Sequence, residues 1–147
     1  MPREFKTILC PVDFSPDSHS ALEYARKFAE LSGGTILVPH VIHVPTEALY
    51  DEHGRWQSSE KLEKRAWELL QKVRDEKLAG YPNVELIVVW GNPVEELLSM
   101  ARERNVDLLV ICTHGRSGLR HLLMGSVAEN LIRYAPCPVF VVRRGVA

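Results

Sequence analysis

Leu108-Leu109-Val110-Ile111-Cys112-Thr113-His114-Gly115-Arg116-Ser117-Gly118, followed shortly by Gly125-Ser126, decides the reading of this chain. Five consecutive apolar residues without alternation form a strand covered on both faces, as in a parallel sheet packed between helices. The glycine-containing loop then leads into a helix, with Ser126 as its cap and Val127, Ala128, Leu131 and Ile132 as its buried positions. Gly115, Gly118 and Gly125 permit positive φ and a close backbone approach to a ligand, while a helix start directs unpaired N–H groups at an anion. Arg116 and Arg120 lie in the same loop and add positive charge. The residues by themselves leave two readings open: a phosphate-holding loop, or glycines that merely shape a strand-to-helix turn above an ordinary serine cap. Neither G-x-x-x-x-G-K-[ST] nor G-x-G-x-x-G is present.

Outward from that stretch the chain alternates strand and helix. Thr7 to Val12 reads as a first strand, and Ser15-Pro16-Asp17 as a helix cap with proline at the first helical position. Ala21, Leu22, Ala25, Phe28 and Ala29 recur at helical period, and Gly33-Gly34 stops the helix. Thr35 to Val44 is the second strand. Residues 45–58, rich in Pro, Asp, His, Gly and Ser, are expected to form a surface loop. Ser59 to Leu78 carries helical spacing, Val84 to Trp90 is the third strand, and Asn92 caps a further helix with Glu95 at its third position. Val139 to Val142 after Pro136-Cys137-Pro138 is the fifth strand. Five strands separated by helices imply a parallel sheet with right-handed crossovers, which places ligands beyond the carboxyl ends of the strands. Four segments meet that condition: 11–15, 41–44, 91–92 and 113–126.

Composition narrows the function classes. The chain has 147 residues, the size of one domain, with 46% hydrophobic and 25% charged residues, too apolar for disorder. A formal net charge of -1 gives no bulk attraction for nucleic acid or an anionic membrane, so an anion site must be local. The apolar runs fall far short of the roughly 20 residues of a membrane span, and residues 1–6 lack the pattern of a secretion signal. A cytoplasmic protein is the expectation. Cys10, Cys112 and Cys137 lack metal-ligand spacing and read as small apolar residues. His40 and His43, three apart on a strand, point to opposite faces and do not suggest a shared metal. Asp13 follows the first strand, where it either binds ribose or magnesium or accepts amide hydrogens at the next helix. Asp107 sits at the end of the sheet opposite to the expected site. No catalytic triad or acidic cluster can be placed, so no catalytic residue and no metal-ligand set is assigned.

Pro11-Val12-Asp13-Phe14-Ser15, His40-Val41, Thr113-His114-Gly115-Arg116-Ser117-Gly118, Gly125-Ser126-Val127-Ala128-Glu129 and Pro136-Cys137-Pro138-Val139 together resemble the universal stress protein family across the whole chain. The resemblance implies a single-domain α/β fold over residues 1–147, a Rossmann-like open sheet of five parallel strands in the order 3-2-1-4-5 with four helices on both faces. In ATP-binding members the pattern is G-x2-G-x9-G-[ST]. Carried over by position, Gly115, Gly125 and Ser126 are the phosphate residues, Asp13 the ribose partner and Val41 the adenine contact. Pro11, Val12, Cys112, Arg116 and Val127 complete the implied nucleotide-binding set. The implied cofactor is ATP, with or without Mg2+, and the implied partner is a second copy of the chain joined through Val139–Val142.

One element departs from that pattern: its first glycine falls on Cys112. If the position required positive φ, a Cβ there would cost roughly 1–2 kcal/mol, and a direct clash with the ligand would cost more. Beside an ATP-binding stress or signalling protein stand a nucleotide-free dimeric interaction protein and a slow ATP hydrolase.

Overall fold

The computed structural model describes residues 4–43, 53–55, 58–113 and 125–143. Its elements alternate as β1 (Thr7–Leu9), α1 (Pro16–Ser32), β2 (Thr35–Ile42), α2 (Ser59–Lys77), β3 (Val84–Trp90), α3 (Pro93–Glu103), β4 (Leu108–Cys112), α4 (Ser126–Tyr134) and β5 (Val139–Val142). The strands form one sheet in the order β3-β2-β1-β4-β5, every pairing parallel, as the family resemblance implied.

Crossovers that move one way from β1 and the other way from β3 onward distribute the helices over two faces. Leu22, Ala25 and Ala29 of α1 and Leu70 and Val73 of α2 cover Ile8, Ile36, Val38 and Val110. Leu97 and Ala101 of α3 with Ala128 and Leu131 of α4 cover Leu9, Leu37, Leu109 and Ile111. Successive strand residues therefore serve opposite cores, and the apolar runs need no polar alternation.

The helix boundaries follow their local chemistry. Ser15 caps α1 by accepting the Ser18 N–H, with proline in the first turn, and Gly33 ends it at φ 67°. Asn92 caps α3 by accepting the Glu95 N–H at 3.1 Å. α4 departs from the reading of Ser126 as a cap: Gly125 is the cap and Ser126 the first helical residue. The Gly125 N–H donates to the Thr113 carbonyl at 2.6 Å and its own carbonyl accepts the Glu129 N–H, which fixes the start of the helix one residue early. Gly125 is extended at φ -73°, so it does not supply the expected positive φ. Val127 and Ile132, expected on the buried face, are each 38% exposed, because only Ala128 and Leu131 point at the sheet.

At the amino-terminal end of the sheet a compact set of polar contacts ties the strands together. Asp107 Oδ2 accepts the Lys6 and Thr7 N–H groups at 3.1 and 3.0 Å. Ser32 Oγ donates to the Phe5 carbonyl, and the Tyr81 hydroxyl donates to the Gly34 carbonyl. Asp107 is thus a structural clamp far from any ligand end.

Gly34 packs so closely there that a Cβ would overlap the Phe5 carbonyl oxygen and lie 3.0 Å from that of Lys6, whereas a Cβ on Gly33 meets nothing within 4 Å. Gly34→Ala is expected to destabilise the fold by about 1–3 kcal/mol through backbone displacement. Gly33→Ala should cost about 1–2 kcal/mol through its left-handed conformation alone. Urea unfolding of both variants checks this, and a neutral Gly34→Ala would contradict the packing.

Candidate functional site

In the order β3-β2-β1-β4-β5 the chain goes from β1 to β2 on one side and from β4 to β5 on the other, a reversal of strand order that opens a crevice between the carboxyl ends of β1 and β4. A cavity of about 600 Å3 occupies it, within the range of roughly 300–1,000 Å3 usual for small-molecule sites. Its walls include the 11–14 segment after β1, His40 to His43 at the end of β2, Cys112 and Thr113 at the end of β4, and Gly125 to Ala128 at the start of α4. Leu62, Ala66 and Leu69 of α2 add an apolar wall, with Arg65 beside them, and Pro93 and Leu97 of α3 close the far side.

Of the sequence-derived site residues, Pro11, Val12, Asp13, Val41, Cys112, Gly125, Ser126 and Val127 all border this cavity. Gly115 and Arg116, with the rest of 114–124, lie outside the described residues, as does most of the 45–58 segment. Of the four segments beyond strand ends, three converge at the cavity, while the 91–92 turn contributes only through its neighbour Pro93.

The start of α4 presents the polar end of the site. The first-turn N–H groups of Ser126, Val127 and Ala128 have no intrahelical acceptor, as at any helix start, and no cap side chain bonds to them. They carry the positive end of the helix dipole to the cavity wall. The Ser126 hydroxyl is free of capping duty because Gly125 occupies the cap.

Asp13 has a local task. Its Oδ1 accepts the Ser15 N–H at 3.0 Å and the Ser15 hydroxyl, and its own N–H donates to Ser18 Oγ at 3.2 Å. The amide-accepting role foreseen as one of its two readings is therefore realised, and it holds the carboxylate at the cavity rim. Phe14, directly after it, takes φ 66°, a left-handed conformation in which a bulky residue is rare. Its ring stacks on His40, centroids 4.3 Å apart.

Cys112 ends β4 in register with Val142 and packs against the core below α1. It is strand, and it is not among the residues with positive φ, so the strain attached to a non-glycine residue does not arise here. Burial pushes the Cys10 thiol far above its ordinary value, with nearby Cys112 adding to the effect, and Cys10 stays protonated.

The histidines engage different strands. His40 Nδ1 lies 2.9 Å from the Val12 carbonyl oxygen, and His43 Nδ1 lies 3.1 Å from that of Gly91. A carbonyl only accepts, so each of these nitrogens carries its proton. Among the described residues no group of three or more His, Cys, Asp or Glu side chains is arranged to hold a metal ion. No described helix is long and apolar enough to cross a membrane.

A doubly wound open sheet with an amide-lined cavity at its switch point defines the class of protein. The sequence profile described as the Universal stress protein family matches residues 4–143. A Thermus aquaticus protein, the universal stress protein in QAH/OAS sulfhydrylase 3'region, is 35% identical over 141 residues, spanning 95% of this chain and 99% of its own. The solved structure of hypothetical protein MJ0577, whose sequence is that of a Methanocaldococcus jannaschii universal stress protein, superposes with a TM-score of 0.81 at 31% identity, covering 99% of this chain and 100% of its own. A universal stress protein crystallised in complex with cAMP superposes with a TM-score of 0.71 at 26% identity, covering 96% of this chain and 98% of its own. The chain belongs to the universal stress protein family.

His19, in the first turns of α1, has its Nε2 buried without a hydrogen-bond partner. Burial lowers its pKa from the ordinary 6.5, and Lys77 lowers it further, against opposing pulls from Asp13 and Glu76. The unfolded chain therefore takes up the proton first as pH falls. The stability contributed by neutral His19 is complete above about pH 6.5 and is lost as pH falls toward the depressed folded value. Urea midpoints measured at pH 7.5 and 5.5 should separate more in the wild type than in His19→Gln; equal separations would contradict the assignment.

Proposed function

We propose that this protein binds ATP in the cavity at the β1/β4 switch point and serves as a nucleotide-responsive stress or signalling protein. The observation that carries the reading is the convergence, around one cavity of about 600 Å3, of the Val41 backbone, the Asp13 carboxylate and the uncapped start of α4. An apolar wall suits a purine, a rim carboxylate suits ribose hydroxyls, and helix-start amides suit phosphates. The cAMP complex of a relative with the same fold supports an adenine nucleotide as the ligand class.

In this reading Val41 reads the adenine, Asp13 with Pro11 and Val12 borders the ribose, and Gly125, Ser126 and Val127 hold phosphate. Gly115 and Arg116, outside the described residues, are assigned to phosphate by the family pattern alone. Cys112 forms the cavity floor, where its extended backbone tolerates a side chain. Among the described residues no group of three or more acidic, histidine or cysteine side chains is arranged to hold a metal, so a Mg2+ ion accompanying the nucleotide would be held mainly by the nucleotide and would supply charge neutralisation at the phosphates. The site binds, and a protein that binds ATP more tightly in one of two conformations changes the surface it offers to partners.

Isothermal calorimetry should show saturable ATP binding at one site per chain. Asp13→Ala should weaken it about tenfold or more, the loss of a charge-assisted hydrogen bond of about 1.5–3 kcal/mol. Gly125→Val, which crowds the helix start, should weaken it further. Absence of saturable binding at millimolar ATP would overturn the proposal.

The homodimer implied by the resemblance finds support in β5, an edge strand of the sheet with no strand on its other side among the described residues. Exposed backbone of this kind invites a second chain. Sedimentation equilibrium should give the mass of two 16.7 kDa chains; a one-chain mass at micromolar concentration would exclude the dimer.

A further inference from the structure

The ladder between β1 and β2 stops abruptly at the cavity, and what stops it has a bearing on base recognition. Parallel pairing runs in alternation: the N–H groups of Cys10 and Val12 donate to the carbonyls of Leu37 and Pro39 at 2.9 and 3.0 Å. In a regular parallel ladder the next two bonds would run from the Val41 N–H to the Val12 carbonyl and from the Phe14 N–H to the Val41 carbonyl. Neither is formed among the described residues. His40 Nδ1 stands on the Val12 carbonyl instead, at 2.9 Å. Phe14, turned to φ 66°, carries the chain away from β2. The two side chains responsible stack on one another with ring centroids 4.3 Å apart and planes inclined by 36°.

Both polar groups of Val41 on this side of β2 are thereby left facing the cavity. Ile42 next to it is turned the other way, its carbonyl accepting the Gly91 N–H at 3.1 Å. An N–H donor beside a C=O acceptor matches the adenine edge, which offers an N1 acceptor beside an N6 donor. The hypoxanthine edge offers N1–H and O6, so both partners would be mismatched. Leaving a buried polar group unpaired is the costly part of such a mismatch.

We infer that the stacked His40–Phe14 pair is a specificity device: His40 occupies the Val12 carbonyl, Phe14 bends β1 away, and together they hold the Val41 backbone edge open to select adenine over 6-oxopurine nucleotides. His40 is a positioning residue that acts through the Val12 carbonyl and the Val41 backbone. Its shape could be supplied by leucine. Its donor at the δ position could be supplied by asparagine.

The inference rests on the adenine-nucleotide reading for its ligand arm, and a ligand-free measurement separates the two. Amide exchange followed by NMR on the unliganded wild type should show the Val41 N–H exchanging at least tenfold faster than that of Leu37, which lies within the paired ladder. In His40→Leu the Val12 carbonyl is released to Val41, and exchange at Val41 should slow at least tenfold. The ratio of ATP to ITP affinity should fall at least tenfold in His40→Leu and return toward the wild-type ratio in His40→Asn. A Val41 amide as protected as Leu37 in the wild type would overturn the inference without any variant having to fold. An unchanged ATP/ITP ratio in a folded His40→Leu protein would overturn it equally. A wild type that binds neither nucleotide overturns the nucleotide reading and with it the proposed selectivity, while the exchange rates still decide whether the histidine holds the edge open.

Discussion

Backbone hydrogen bonding between β1 and its two neighbours governs the rest of the molecule. β1 is the central strand, paired to β2 on one side and β4 on the other; the strand itself is three residues long, with Cys10 and Val12 still bonded to β2 beyond it. Because strand order reverses between β1 and β4, a crevice opens above their carboxyl ends. The ordered part of the ladder supplies rigidity, and its early end supplies the opening. A longer β1 would have paired with Val41 and sealed the place where a ligand can meet main-chain groups.

The elements most legible in the sequence were strands whose apolar residues run together between turn-forming residues, including β3 at the sheet edge, which is only half-buried and exposes Glu85. Val84–Trp90, Leu108–Cys112 and Val139–Val142 fall at the limits their apolar runs suggested. The caps at Ser15 and Asn92 were legible for a different reason: the side chain that ends the strand-to-helix turn is itself the hydrogen-bond acceptor. β1 was read too long, since Cys10 and Val12 do bond to β2 yet the strand has already begun to part from β4. Gly125 was misread because its role depends on a carbonyl twelve residues earlier, at Thr113, which no local pattern shows.

The cavity was legible as a set of strand ends, but the contacts that end the β1–β2 ladder beside it were not. Asp13 and Ser126 announce themselves through residue type and position. His40 does not, because a histidine on a strand gives no sign of which carbonyl it will meet. Phe14 is less legible still, since a bulky aromatic residue is rare in a left-handed turn, and its packing on His40 and the neighbouring core is visible only in the fold. Cys112 presented the opposite case. Its departure from glycine looked costly in one dimension, and the extended strand removes that cost while leaving the side chain at the cavity floor.

The contacts of Asp107, Ser32, Tyr81 and Gly34 lie at the end of the sheet away from the cavity. They join the beginnings of strands, and none of them shares a residue with the cavity wall. Substitutions of the partly exposed residues at the ligand end can therefore accumulate without touching these polar ties, whereas Leu97, Ile111 and Leu131 line the cavity and belong to the core as well. Such a molecule is free to drift in what it recognises over evolutionary time while keeping its shape, and lineages descended from it can diverge in ligand long before they diverge in architecture.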